Sequence, residues 1–235
     1  MPQLRDGSTV RDARLAALPY FDPRSLGYAV MDLFTKDEEP KTKVWNCKLH
    51  LDQGKEGACT GFAVAHDIAA QPSVVRKGIT NKFAKEEIYW EAQKIDMFPG
   101  GAYPGADPHM DGSSVLAAVK VAKRLGYIKK YRWAFSVKDL VLAVGYQGPA
   151  ILGIPWYEGM YSPAACGMIH PTGQQSGRHA ILCRGVDVEA QTFLLHNSWG
   201  KDWGDEGTAL VHWDDMKFLL KNFGEACIPT ERAKP

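Results

Sequence analysis

Apolar positions recur at helical spacing through the first half of the chain and gather into short β-type runs through the second. From Cys59 to Ala70, residues Phe62, Ala63, His66, Ala69 and Ala70 fall near one helical face, and Pro72 ends the pattern. Lys85 to Ile95 carries Ile88, Tyr89, Ala92 and Ile95 at the same spacing. Ser113 or Ser114 caps a third helix striped by Val115, Leu116, Val119 and Ala122, with Gly126 at its end. Ser136 and Asp139 form a capping-box-like start to a fourth that stops near Gly145. The period then changes. AILGIPWY after Pro149, HAILCRGVDVE from His179, TFLLHNSW from Thr192 and GTALVHW from Gly207 are short, β-rich and bounded by turns, and a last short helix follows Asp214. Helices first and strands second predict an α+β protein with segregated lobes. The helical lobe is expected over about 50–135 and the β lobe over about 145–228, within a domain of 41–235. Residues 1–40 read as an irregular arm ending in the charged KDEEPKTK stretch. The turn-rich segment from Asp96 to Asp111 is long enough to suggest a functional or mobile loop.

Composition narrows the function classes. The chain has 235 residues, 45% of them hydrophobic, so it can bury a sizeable core. Its formal charge is +1 and no long run of one sign occurs, so neither nucleic acid nor membrane is expected as a partner. The N-terminal segment lacks the apolar core of a signal peptide, and no stretch nears the roughly 18–20 apolar residues of a membrane span. A cytoplasmic location is the expectation. Five scattered cysteines argue against a dense disulfide framework. Cys47 and His50 have a metal-like spacing, but no second pair completes a four-ligand site. No metal and no cofactor is therefore expected.

Cys59 follows Gly57-Ala58 and opens an apolar helix. Backbone N–H groups at a helix start carry partial positive charge, which favours the thiolate, the attacking species in acyl transfer. Taken alone, such a cysteine is more often plain core. The surrounding segments add what the single residue lacks. DQGKEGACTGFA places Gln53 six positions before Cys59, with Gly54 beside it and Gly57 just upstream. GRHAILCRGVD puts a His-Ala pair on a strand leading into a glycine turn, and LLHNSWGKDWGDEGTALV holds an Asn-Ser-Trp-Gly run followed by Trp-Gly and Gly. In order and spelling these three segments resemble the papain-like cysteine peptidases. His179 and Asn197 lie 120 and 138 residues beyond Cys59, close to the roughly 130–150 of that family. The resemblance spans about Trp45 to Ile228, with KEEIYWEAQ and GPAILGI as supporting matches.

The resemblance implies a mainly helical left lobe against an antiparallel β-barrel right lobe, with the cleft between them. It implies hydrolysis of peptide bonds with Cys59 as nucleophile, His179 as acid and base, Asn197 orienting the imidazole, and Gln53 with the Cys59 N–H as the oxyanion hole. Trp199 would cover the Asn197–His179 hydrogen bond, or simply pack in the core. Gly112 and Ser113 align with residues whose backbone bonds an extended peptide. Gly153 and Ala180 fall where the family builds its main specificity pocket, and their small size suggests room for a bulky apolar side chain. A peptide or protein substrate and a protein inhibitor are the implied partners, and oligomeric state is not implied.

The chain also departs from the family. Thr60 stands where Trp is usual after the nucleophile, Glu56 replaces a disulfide cysteine, and Arg178 precedes the base. The arm is shorter than the folded prosegment common in the family, and it is expected to pack across the lobes or to cover part of the cleft. Two other readings remain: another acyl transfer on the same fold (transpeptidase, deamidase or cell-wall peptide hydrolase), and a catalytically silent peptide-binding homologue. The intact set Gln53, Cys59, His179 and Asn197 weighs against the second. His66 lies roughly 10 Å along the helix from Cys59, too far to share its proton, and His196 faces the side of its strand opposite Asn197.

Overall fold

The computed structural model describes residues 1–35 and 37–232. Helix α1 (Cys59–Ala69) is buried along its whole length, so its sequence is apolar nearly all round. Gly61 lets it approach its neighbour closely; a Cβ there would meet the Ala84 carbonyl oxygen at 2.2 Å. That neighbour is a π-helical segment, Phe83–Trp90, running into α2 (Glu91–Ile95). Ser114 is the cap of α3 (Val115–Arg124), its hydroxyl accepting from the Ala117 N–H. Ser136 caps α4 (Val137–Tyr146) in the reciprocal arrangement with Asp139 that the sequence predicts. Helix α5 (Trp213–Lys221) begins one residue before Asp214.

The strands form one antiparallel sheet. Its members are β1 (Lys43–Val44), β2 (Ile128–Ala134), β3 (Ala150–Tyr157), β4 (Gln175–Asp187), β5 (Thr192–His196), β6 (Thr208–His212) and β7 (Glu225–Arg232). They run in the order β2-β7-β3-β4-β5-β6, with β1 also on β4. Three of them, β1, β2 and β7, escape the sequence pattern. β2, counted with the helical half in the sequence, pairs with β7 about a hundred residues later. Its exposed Lys129 and Lys130 break the apolar alternation, so nothing local marks it as a strand.

Two large apolar clusters result. One packs α1, α2 and α3 around Phe62, Tyr89 and Val119. The other surrounds Trp156, Phe193, Val211 and Met216 beneath the sheet. A third, small cluster belongs to the arm: Leu4, Val10, Ala16 and Leu18, with Phe98 against them. The long loop after α2 closes on Arg5, whose buried guanidinium pairs with Asp96 at 2.8 Å and donates to the carbonyls of Gln93, Phe98, Pro99 and Gly112. Among the described residues, no helix is long and apolar enough to cross a membrane.

Candidate active site

Cys59 is the first residue of α1, and no side chain caps that helix start. Its sulfur faces the backbone N–H groups of Ala180, Ala16 and Thr60. Contact with Ala180 places it against β4 one residue past His179, so the helix start and the histidine strand meet. His179 Nε2 donates to Asn197 Oδ1 at 2.7 Å. An amide oxygen can only accept, so this bond puts the imidazole proton on Nε2 and leaves Nδ1 without a hydrogen-bond partner. Asn197 Oδ1 also accepts from the Ser198 N–H at 2.8 Å, which fixes the amide.

Gln53 is held from both ends. Its N–H donates to the Ser198 carbonyl at 2.9 Å, and its Oε1 accepts from the Ser198 hydroxyl at 2.7 Å. Its Nε2 is thereby turned outward, to the Glu56 carbonyl at 2.7 Å and the Arg14 carbonyl at 3.3 Å. Trp199 lies over the His179 ring, centroids 4.9 Å apart. Trp156 of β3 packs beside it, 4.9 Å from His179, edge to face, and 5.3 Å from Trp199. Sequence reading singled out Trp199 but gave Trp156 no role. Only the β3–β4 register, which sets Ile154 opposite His179, brings its ring there.

The arm lies on this assembly as an extended strand. Ala17 N–H donates to the Arg178 carbonyl at 3.2 Å, Leu18 N–H to the Ser113 carbonyl at 2.9 Å, and Ser113 N–H to the Ala16 carbonyl at 3.3 Å. The arm's chain runs parallel to both partners. Leu18 fits over Gly112, where a Cβ would come within 2.9 Å of it. The Arg14 guanidinium covers the Trp199 ring at 4.0 Å. Thus the Arg14 carbonyl meets the outward amide of Gln53, while the Ala16 N–H meets the Cys59 sulfur.

Covering the cleft sets the charge state beneath it. Burial pushes the Cys59 thiol up to about 11, against the pull of the three backbone N–H groups. Burial also pulls His179 down to about 4, opposed by its bond to Asn197. The helix start favours a thiolate in sequence terms, yet in the covered cleft desolvation outweighs it and both groups are neutral.

Gly153 and Ala180 pair across β3 and β4. The space expected beside Gly153 is taken by the Glu225 carboxyl, 2.7 Å from where a Cβ would stand. Glu225 is half-buried with its Oε1 enclosed and without a partner, and burial raises it to about 8. It borders a cavity of about 330 Å³ together with Tyr20, Trp133, Arg178 and Phe223. Arg178 turns away from the His179 ring and donates to the Gly153 and Phe223 carbonyls at 3.1 and 2.6 Å. Thr60 is fully buried next to Cys59. Among the described residues, no three His, Cys, Asp or Glu side chains are placed to hold a metal ion.

A helix-start cysteine set against a histidine–asparagine strand pair, between a helical layer and an antiparallel sheet, is the papain-like arrangement. The chain is similar to that family: the family model described as papain family cysteine protease matches residues 103–218, just under half of the chain, which include His179 and Asn197 but not Gln53 or Cys59. Among solved structures, xylellain, a cysteine protease from Xylella fastidiosa, superposes with a TM-score of 0.68 over 96% of this chain and 99% of that one, at 17% identity. Bromelain from Ananas comosus, in complex with the E64 inhibitor, gives 0.55 over 82% of this chain and 99% of its own, at 16% identity. In sequence, the chain is 32% identical over 94 residues to cathepsin B-like cysteine proteinase 3 of Ostertagia ostertagi, 39% of this chain and 53% of that protein. It is 26% identical over 176 residues to gamete and mating-type specific protein A of Dictyostelium discoideum, 66% of this chain and 38% of that protein. The chain therefore spans about half or less of the length of these curated relatives.

Proposed function

We propose that this chain hydrolyses peptide bonds through a thioester on Cys59. The observation that carries the reading is the arm itself: an extended main chain lies over the cysteine, with a carbonyl oxygen on Gln53. In the reaction, the Cys59 thiol gives its proton to His179 and the sulfur attacks the substrate carbonyl carbon. The oxygen of the tetrahedral intermediate is stabilised by Gln53 Nε2 and the Cys59 N–H. Collapse breaks the C–N bond as the imidazolium protonates the leaving amine, and a thioester remains. His179 then takes a proton from water, hydroxide adds to the thioester, and the acid leaves as Cys59 is restored. Asn197 keeps the ring aligned throughout, while Trp156 and Trp199 hold water off its bond.

The arm then serves as a built-in cover. It sets the Ala16 N–H against the Cys59 sulfur and the Arg14 carbonyl against Gln53, so it occupies the cleft. Substrate enters when it lifts, and rehydration of the cleft allows the thiolate–imidazolium pair to form.

An epoxide or vinyl-sulfone peptidyl probe, read by mass mapping, tests both parts. We expect Cys59 to be labelled in the wild type and no adduct at position 59 in Cys59→Ala. Labelling together with turnover of a mixed peptide library supports the peptidase. Labelling without turnover would favour another acyl acceptor, and no labelling of the folded protein would favour a peptide-binding homologue.

A further inference from the structure

Gln53 sits on a stretch without regular structure, between β1 and α1. Beyond its bonds to Ser198, two buried histidines grip the main chain just before it. The Leu51 N–H donates to His66 Nε2 at 3.0 Å. His196 Nε2 bonds the Leu49 carbonyl at 3.0 Å. Each comes from an element that already carries a member of the site: His66 shares α1 with Cys59, and His196 ends β5 immediately before Asn197. The rings are in contact, 4.4 Å apart and edge to face, and His50 joins them 5.0 Å from His196.

We infer that His66 and His196 are positioning residues for the oxyanion hole, clamping the main chain at Leu49 and Leu51 so that Gln53 keeps register with Cys59 and Asn197. The inference rests on the reading of Gln53 as an oxyanion donor. The chemistry of the two clamps differs. An N–H can only donate, so His66 must be neutral with its proton on Nδ1. A carbonyl can only accept, so His196 donates from Nε2 and keeps that bond even when protonated. Protonating His66 converts its acceptor into a donor facing another donor, which releases Leu51. The clamp on Leu51 is therefore open to acid, and the one on Leu49 is not.

The groups around the rings oppose that proton. Arg184 of β4 faces all three histidines, and Lys201 with Glu206, in the segment after β5, faces His50. Cys47 lies 3.6 Å from the Leu49 carbonyl and 3.7 Å from the His66 carbonyl. Asp67, next to His66 on α1, is committed to Arg232 of β7 at 2.8 Å. Among the described residues, no carboxylate bonds any of the three rings. Burial first, then His196, His50 and Arg184, hold His66 well below its ordinary value.

The test is amide hydrogen exchange at Leu51 in the full chain, taken at each pH relative to the intrinsic rate of an unstructured peptide, as the pH is lowered from about 7 towards 4, in the wild type, His66→Gln and His66→Leu. A glutamine oxygen accepts from Leu51 at every pH; leucine never does. Losing the partner of a buried N–H is worth about tenfold to a hundredfold in exchange. We expect that acceleration in His66→Leu at neutral pH and in the wild type only towards acid, with β4 amides still protected. His66→Gln should stay within about threefold of the neutral wild type throughout. On peptide substrate, His66→Leu should lower kcat with KM unchanged, and His66→Gln should restore it. Leu51 protection that ignores both pH and substitution overturns the clamp, as does its loss with kcat intact. Should His66→Leu fail to fold, the contrast between wild type and His66→Gln across pH decides alone. A wild type that turns over no peptide while Leu51 behaves as expected counts against the peptidase, not the clamp.

Discussion

At the scale of single residues, Gln53 is the most informative side chain after the nucleophile, because each polar atom of its amide has a different task. Its oxygen is consumed by Ser198, and that bond aims its nitrogen at the place the Arg14 carbonyl occupies. Gln53→Ala should lower kcat by about 10²–10³ with little change in KM, measured on a fluorogenic peptide. A rise in KM with kcat unchanged would mean that Gln53 binds the ground state instead. Gln53, Cys59, His179 and Asn197 were legible in the sequence because each sits in a run whose spelling narrows its neighbours. Trp156, Ser198 and Glu225 were not assigned roles, although they touch or border the same site. Their placement depends on strand register and on a carboxyl buried across β7, which the spacing of residues along the chain does not encode.

At the scale of elements, the helices were readable because each carries its own cap and stripe: Ser114 for α3, and Ser136 with Asp139 for α4. β2 was hidden for the opposite reason, since its partner is far away in sequence and its exposed lysines look like loop. The arm shows no regular periodicity because it borrows its order from the cleft. Its apolar side chains Leu4, Val10, Leu15, Leu18 and Val30 are buried against the rest of the molecule, with Leu18 seated on Gly112 and Arg5 caged by the loop after α2. Truncating Leu18 to Ala removes about 2 kcal/mol of packing from the arm while leaving both lobes whole. Probe labelling of Cys59 should rise about thirtyfold in that variant. An unchanged labelling rate would mean that the arm does not limit access.

At the scale of the whole molecule, the buried titratable groups set opposing trends with pH. His66, His179 and His196 are all held below their ordinary value near 6.5, to about 4 for His179 and about 3 for His196. Their unfolded forms bind more protons than their folded forms between those limits. The stability they contribute is complete above about pH 6.5 and is lost as the pH falls towards 4. Glu225, raised to about 8, works the other way: its contribution is complete below its unfolded value and is lost as the pH rises through 8. The depressed histidines set against Glu225 predict a maximum near neutrality, with the raised thiols of Cys47, Cys59 and Cys183 adding to the alkaline loss. Urea unfolding should show a lower midpoint at pH 5 than at pH 7, and a lower one again at pH 9. Glu225→Gln should lessen the loss on the alkaline side alone. A midpoint that is the same at pH 5 and pH 7 would contradict the account.

The distribution of sulfur makes the cover measurable without any substrate. All five cysteines are free, and only Cys166 is exposed; the other four are buried. Three of those, Cys47, Cys183 and Cys227, are enclosed by core packing, whereas Cys59 is roofed by the arm. A small thiol reagent added to the native protein thus counts one site while the arm is down and two while it is up. The rate at which the second thiol reacts is a clock for the arm's lifting, and it runs whether or not the right peptide has yet been found.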